Sequence, residues 1–161
     1  MRKDGKPYSF LEAKQKIEAW CAYRDRCHSE VNKKLRDYGL DGEDTNALLA
    51  HLISYKFLDE QRFADSFTSG KFRINKWGRI KIQNHLKSKF VPDRCIKDAM
   101  NQINEEEYQQ TLEGLATRKW KEKKGTSFEK KVKTQRFLSN RGFEFDLIHP
   151  VLEGLEKGEE E

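Results

Sequence analysis

Three leucines set the strongest constraint on how this chain can fold. Leu35, Leu86 and Leu138 each close a mixed basic and apolar segment, and each is followed five positions later by an apolar residue, Leu40, Val91 or Phe143. The register then continues identically. Apolar residues follow at Leu48, Leu49 and Leu52, at Ala99, Met100 and Ile103, and at Val151, Leu152 and Leu155. A unit recurring about every 50 residues is too small to bury an apolar face alone and must stack on its neighbours. Strand signals are nearly absent, since Val, Ile and Thr never alternate with polar residues over a sustained run. The expected fold is all-α, an elongated, curved array of three tandem three-helix repeats.

The helix starts agree with this plan. Ser9 with Glu12 and Asn104 with Glu107 read as capping boxes, and Ile103 with Tyr108 as a hydrophobic staple. In "LDEQRFADSF", Asp59 is the expected N-cap, Leu58 and Phe63 the staple, and Phe63, Phe67 and Ile74 one apolar face. Thr126 or Ser127 caps a later helix. Gly39 and Gly142 stand where a left-handed residue can end a helix. The middle repeat has Phe90 there, so its turn is expected to be built differently, with Pro92 helping to start the next helix. Pro150 should kink the last helix or delay its start to about Asp146.

These signals divide the chain into a tail at 1–8, repeats at 9–57, 58–102 and 103–156, and an acidic tail at 157–161 expected to be frayed. With 35% apolar and 37% charged residues among 161, and a mean hydropathy of −0.97, several small cores in a row are more feasible than one large one. The net charge is +5, and residues 58–102 account for it, with ten basic against five acidic residues. An anionic partner follows naturally from such a balance. Cys21, Cys27 and Cys95 are an odd set without an apolar leader, the pattern of packed thiols in a reducing cytoplasm. No apolar run approaches the roughly 20 residues of a membrane helix.

Catalytic chemistry finds little support. Asp59 and Glu60 are adjacent, so on a helix they diverge by about 100° and cannot converge unaided on a metal or a proton. His28, His51, His85 and His149 are scattered, and Cys21, Cys27 and His28 lack a completing pair of zinc ligands. No phosphate-binding glycine loop and no nucleophile elbow occurs. The chain is expected to be neither an enzyme nor a holder of a cofactor or metal.

The basic segments are the candidate contact surface. "KFRINKWGRIKIQNHLKSK" crosses a turn at Trp77 and Gly78, where Arg73, Lys76, Arg79 and Lys81 can gather and Trp77 could stack a base. A second run, "RKWKEKKGTSFEKKVK", carries few acids. A solvated face with Trp77 used for packing is the plainer account of the same residues.

On "LDEQRFADSF", "RINKWGRIKIQNHLKSKFV", "LSNRGFEFDLI" and "RDRCHSEVNKKLRDYGL", in this order and spacing, the chain resembles the RecX family over about residues 9 to 155. That resemblance implies a regulatory protein that binds the RecA recombinase or its nucleoprotein filament. It would restrain filament extension, ATP hydrolysis, strand exchange and co-protease activity in DNA repair, DNA recombination and the SOS response. Direct DNA binding by a helical module is the alternative. The implied protein is cytoplasmic, monomeric and not membrane-bound. The family's motif falls on Arg62, Phe63, Ala64, Arg73, Gly78, Arg79, Ile80 and Leu86. Phe63, Ile80 and Leu86 are expected in the core, and Arg73 and Arg79 exposed. The expected partner or DNA contacts are Arg62, Arg73, Lys76, Arg79, Lys81, Lys87, Lys130 and Lys133.

Overall fold

The structure is a computed structural model that describes residues 1–160. Among the described residues it is entirely helical: α1 (Phe10–Tyr23), α2 (His28–Asp37), α3 (Gly42–Ser54), α4 (Glu60–Arg73), α5 (Arg79–Ser88), α6 (Asp93–Asn101), α7 (Glu105–Glu122), α8 (Ser127–Asn140) and α9 (Phe145–Glu160). None of these helices is long and apolar enough to cross a membrane.

The expected caps form. Ser9, Asp59, Asn104 and Thr126 accept the backbone N–H of Glu12, Arg62, Glu107 and Glu129 at 3.2, 2.9, 2.8 and 3.1 Å. Each satisfies one of the donors that a helix N-terminus leaves without an intrahelical partner. Asp41 caps α3 in the same way, through the N–H of Asp44 at 2.8 Å.

The five-residue spacing that organises the sequence has a direct structural cause. The N–H of Leu40 donates to the carbonyl of Leu35, that of Val91 to Leu86, and that of Phe143 to Leu138, at 3.3, 3.2 and 3.2 Å. Each bond closes the C-terminus of α2, α5 or α8 through a residue in the left-handed region, and the leucine that accepts it is fully buried. Gly39 and Gly142 take φ of 87° and 96°, and Phe90 takes 59° in the same role. A differently built middle turn was expected at Phe90. Instead the tertiary fold imposes the glycine geometry on an aromatic residue.

The chain divides into two compact units, Met1–Phe67 with Leu86–Asp98, and Thr68–His85 with Ala99–Glu161, so the middle repeat contributes to both. In the first unit, α1, α2 and α3 pack on one another around Ala13, Ile17, Val31, Leu35, Leu48 and Leu52. In the second, α7, α8 and α9 pack together, with Tyr108, Leu112, Leu138, Phe143, Ile148 and Leu152 all essentially inaccessible.

Two expected core positions lie outside. Ile74 is 81% exposed and Ile80 45% exposed, whereas Phe72 and Ile82 are buried. Helix α4 ends at Arg73, so Ile74 leaves the apolar face with the chain. In α5 the inward stripe runs through Ile82 and Leu86, four apart, and Ile80 is off it.

Helix α9 starts at Phe145, one residue before the expected delayed start, which places Pro150 in its second turn. The helix also continues through Glu160, where a frayed end was expected. Glu159 provides the reason. Its carboxylate accepts from the Trp120 indole Nε1 and the Ser127 hydroxyl, both at 2.7 Å, and pairs with the Lys130 ammonium at 2.5 Å. Glu161, the last residue of the expected tail, lies outside the described residues.

Candidate functional site

The turn from α4 into α5 was the centre of the expected basic corner, and all its principal residues belong to the second unit. Lys76, three residues past the end of α4, has φ 58°, the Trp77 N–H donates to the carbonyl of Lys71, and Gly78 leads into α5. Four basic side chains do originate here, but the structure gives them different work.

Arg79 was expected to be exposed, and it is not. Its side chain is only 15% accessible and is paired with Glu144 at 2.8 Å and, more closely, with Glu105. The guanidinium also lies 3.8 Å from the centroid of the Tyr108 ring. Burial opposes its charge, but the hydrogen bonds it donates to Glu105 and Glu144 outweigh that and hold its pKa above the ordinary arginine value. Tyr108 completes the cluster by donating a short hydrogen bond from its hydroxyl to Glu144 while accepting the Arg79 backbone N–H at 3.0 Å. Burial first, and the Glu144 carboxylate second, push the phenol's pKa far up, so it stays a donor.

The start of α5 is closed as well. The N–H of Gly78 donates to the carbonyl of Arg141 at 2.7 Å, and that of Ile80 to the carbonyl of Gly142 at 3.0 Å. The N–H groups of 78, 79 and 80, which at a free helix start could cradle a phosphate, are thus spent on the end of α8 and on Tyr108. A negative helix end meeting a positive one is also favourable electrostatically. Gly78 is required by this approach: a Cβ there would sit 2.3 Å from the carbonyl carbon of Gly142.

Trp77 is engaged too. Lys71 and Lys81 lie over its ring with ammonium nitrogens 4.8 and 4.4 Å from the centroid, and the His85 ring is 4.6 Å away. Arg73 remains 65% exposed and reaches Glu107 only at 3.6 Å, a solvent-screened pair of small energetic value. Lys76 is exposed.

The other expected contacts are spread over the chain. In the first unit, the Arg62 side chain is held by Asp25 at 2.6 Å and by the carbonyls of Lys56 and Phe57 at 3.0 and 3.2 Å. Of the two nearby acids in the chain, Asp59 meets only its backbone N–H, and Asp65 is taken by Gln61. Lys87 is exposed at the end of α5. On α8, Lys130 is tied to Glu159 while Lys133 is exposed. Of the expected set, Arg73, Lys76, Lys87 and Lys133 are exposed, Arg62, Arg79 and Lys130 are ion-paired with Asp25, Glu144 and Glu159, and Lys81 lies over Trp77.

Sequence reasoning missed Tyr108, Glu105 and Glu144 as partners of Arg79. Tyr108 was visible only as a staple residue, and nothing local to Glu144 marks it as the acceptor of a distant arginine. The three cysteines are buried free thiols. Cys27 precedes α2 and lies 3.2 Å from the Ser29 hydroxyl, while burial pushes the Cys21 thiol up to about 11. Neither is an activated nucleophile.

Comparison with known proteins fits this geometry. Residues 59–100 match the model of the RecX second three-helix domain, and residues 105–152 that of the RecX third three-helix domain. A regulatory protein RecX of Chlorobaculum tepidum is 31% identical over 157 residues, covering 98% of this chain and 94% of that one. One from Oceanobacillus iheyensis is 28% identical across 86% of this chain, which spans only 52% of that relative's length. The crystal structure of RecX from Lactobacillus salivarius superposes with a TM-score of 0.82 at 19% identity, over 91% of this chain and 96% of that one, a likeness of fold. The conserved architecture is thus an all-α repeat of three-helix domains, and the chain belongs to the RecX family of regulatory proteins.

Proposed function

We propose that this protein binds the RecA recombinase or its nucleoprotein filament and restrains filament extension, ATP hydrolysis, strand exchange and co-protease activity, without catalysing a reaction itself. Membership in a regulatory family carries this reading. The exposed Arg73, Lys76, Lys87 and Lys133 support it, since they offer cations to an acidic protein surface or a phosphate backbone without disturbing the fold. The protein acts in the cytoplasm, in DNA repair, recombination and the SOS response, as a monomer.

The test is a titration of the purified chain into RecA on single-stranded DNA. ATP turnover should fall at less than one molecule per RecA protomer, and unchanged turnover at excess would reject the proposal. A second reading, a direct DNA-binding module, draws on the +5 charge. It requires strong binding to bare DNA with steep salt dependence, because counterion release dominates such binding.

A further inference from the structure

Phe90 is in a conformation that aromatic residues rarely adopt. Its φ is 59°, yet the residue is 83% exposed, so burial does not reward the strain. The equivalent turns use Gly39 and Gly142, so the backbone geometry needs no side chain at this place.

The turn around Phe90 is braced from outside. The Ser29 hydroxyl donates to the carbonyl of Lys89 at 2.6 Å, and Glu30 holds the Lys89 ammonium at 3.4 Å. With the Phe90 N–H on the carbonyl of Lys87 at 3.0 Å, the backbone is fixed on both sides of the strained residue. A strained residue persists when its surroundings over-determine it, and such residues concentrate at binding sites.

The neighbours indicate what the ring meets. Between Leu86 and Pro92 the chain carries Lys87 and Lys89 and no acid, and Lys87 is exposed. A protein-binding anchor is normally surrounded by other side chains that exclude water from it. Phe90 instead stands on a turn that follows the exposed Lys87, while Lys89 is paired with Glu30. An open aromatic residue with an exposed lysine near it in the chain can stack a nucleobase and neutralise its phosphate. Trp77, the ring the sequence offered for this task, is already engaged by Lys71, Lys81 and His85.

We propose that Phe90, with Lys87 beside it, is a contact point for single-stranded nucleic acid, the ring stacking a base and the ammonium meeting a phosphate. The site does not depend on the RecA reading, because it is assayed on bare oligonucleotide.

The experiment measures fluorescence anisotropy of a labelled oligothymidine with the full chain and with F90G, F90Y and K87A, alongside thermal unfolding. F90G restores the residue of the sister turns, so its Tm should rise by ~2–4 °C as the strain is removed. Its affinity should fall about 5- to 150-fold through loss of stacking. F90Y should keep the affinity, and K87A should flatten the log-affinity against log-salt slope by about 0.7. A more stable F90G that binds like the parent would overturn the proposal, as would a parent that does not bind. An F90G that loses RecA inhibition with its oligonucleotide affinity intact would also overturn it, assigning the ring to a protein partner.

Discussion

The backbone amide of Gly78 and the carbonyl of Arg141 meet at 2.7 Å, so the first turn of α5 is pinned to the end of α8. Because a Cβ at 78 would strike the Gly142 backbone at 2.3 Å, Gly78→Ala must separate the two helices. Backbone cannot yield as a flexible side chain does, and we expect destabilisation of at least ~2–3 kcal/mol. Chemical denaturation of the variant measures it; a loss below half a kilocalorie would show that this junction is soft.

Tyr108→Phe removes the hydroxyl that serves both Glu144 and the Arg79 N–H. It keeps the ring's packing against Phe72 and Phe143, whose centroids lie 5.6 and 5.2 Å away. A buried donor and a carboxylate then lose a partner, at a cost of about 1–3 kcal/mol. The wild-type phenol should also resist ionisation. Since its folded pKa is raised, its contribution is complete below the ordinary tyrosine value of 10.0 and is lost only as pH rises beyond it. An alkaline ultraviolet titration should show one tyrosine that ionises only with unfolding.

Glu159 predicts the opposite pH dependence at the other end of the scale. The Lys130 ammonium, then the Ser127 hydroxyl and the Trp120 indole, lower its pKa from 4.5 to about 2. The ionised form favours the folded state, so the contribution is full above pH 4.5 and disappears as pH falls towards 2. In an acid titration followed by NMR, the Trp120 indole N–H should shift across this interval, and Glu159→Gln should abolish the transition. A pH-independent resonance would contradict the observed pairing.

Charge reversal separates surface cations from structural ones. Arg73→Glu combined with Lys76→Glu should leave Tm within a few degrees of wild type, because neither side chain is held by a strong pair. The same pair should weaken RecA ATPase inhibition several-fold. Arg79→Glu, by contrast, places a third carboxylate beside Glu105 and Glu144 and should unfold the second unit before any binding is tested. Circular dichroism melts of the two variants distinguish these outcomes.

Much of the fold was legible locally. The caps at Ser9, Asp59, Asn104 and Thr126 depend on a side chain and a backbone group three residues apart, so short sequence windows contain all the information. The same holds for Leu35, Leu86 and Leu138, whose spacing to Leu40, Val91 and Phe143 is that of a single closing hydrogen bond. The candidate site was legible only in part. Lys76, Lys87 and Arg73 are exposed as expected, but the burial of Arg79 depends on Glu144, which is far away in the chain. Ile74 and Ile80 likewise look apolar enough for the core, and only the ends and phase of α4 and α5 exclude them.

The sequence by itself determined the helices, their caps, the threefold register and the family, because each of these rests on periodicity and short-range hydrogen bonding. Tertiary structure alone decided which basic residues are exposed and which are consumed, since a guanidinium that loses hydration goes where carboxylates can compensate it, as Glu105 and Glu144 do for Arg79. It also decided the conformation of Phe90. There the closure of α5 and the brace from Ser29 and Glu30 outweigh the intrinsic preference of an aromatic residue, and the ring is left in solvent.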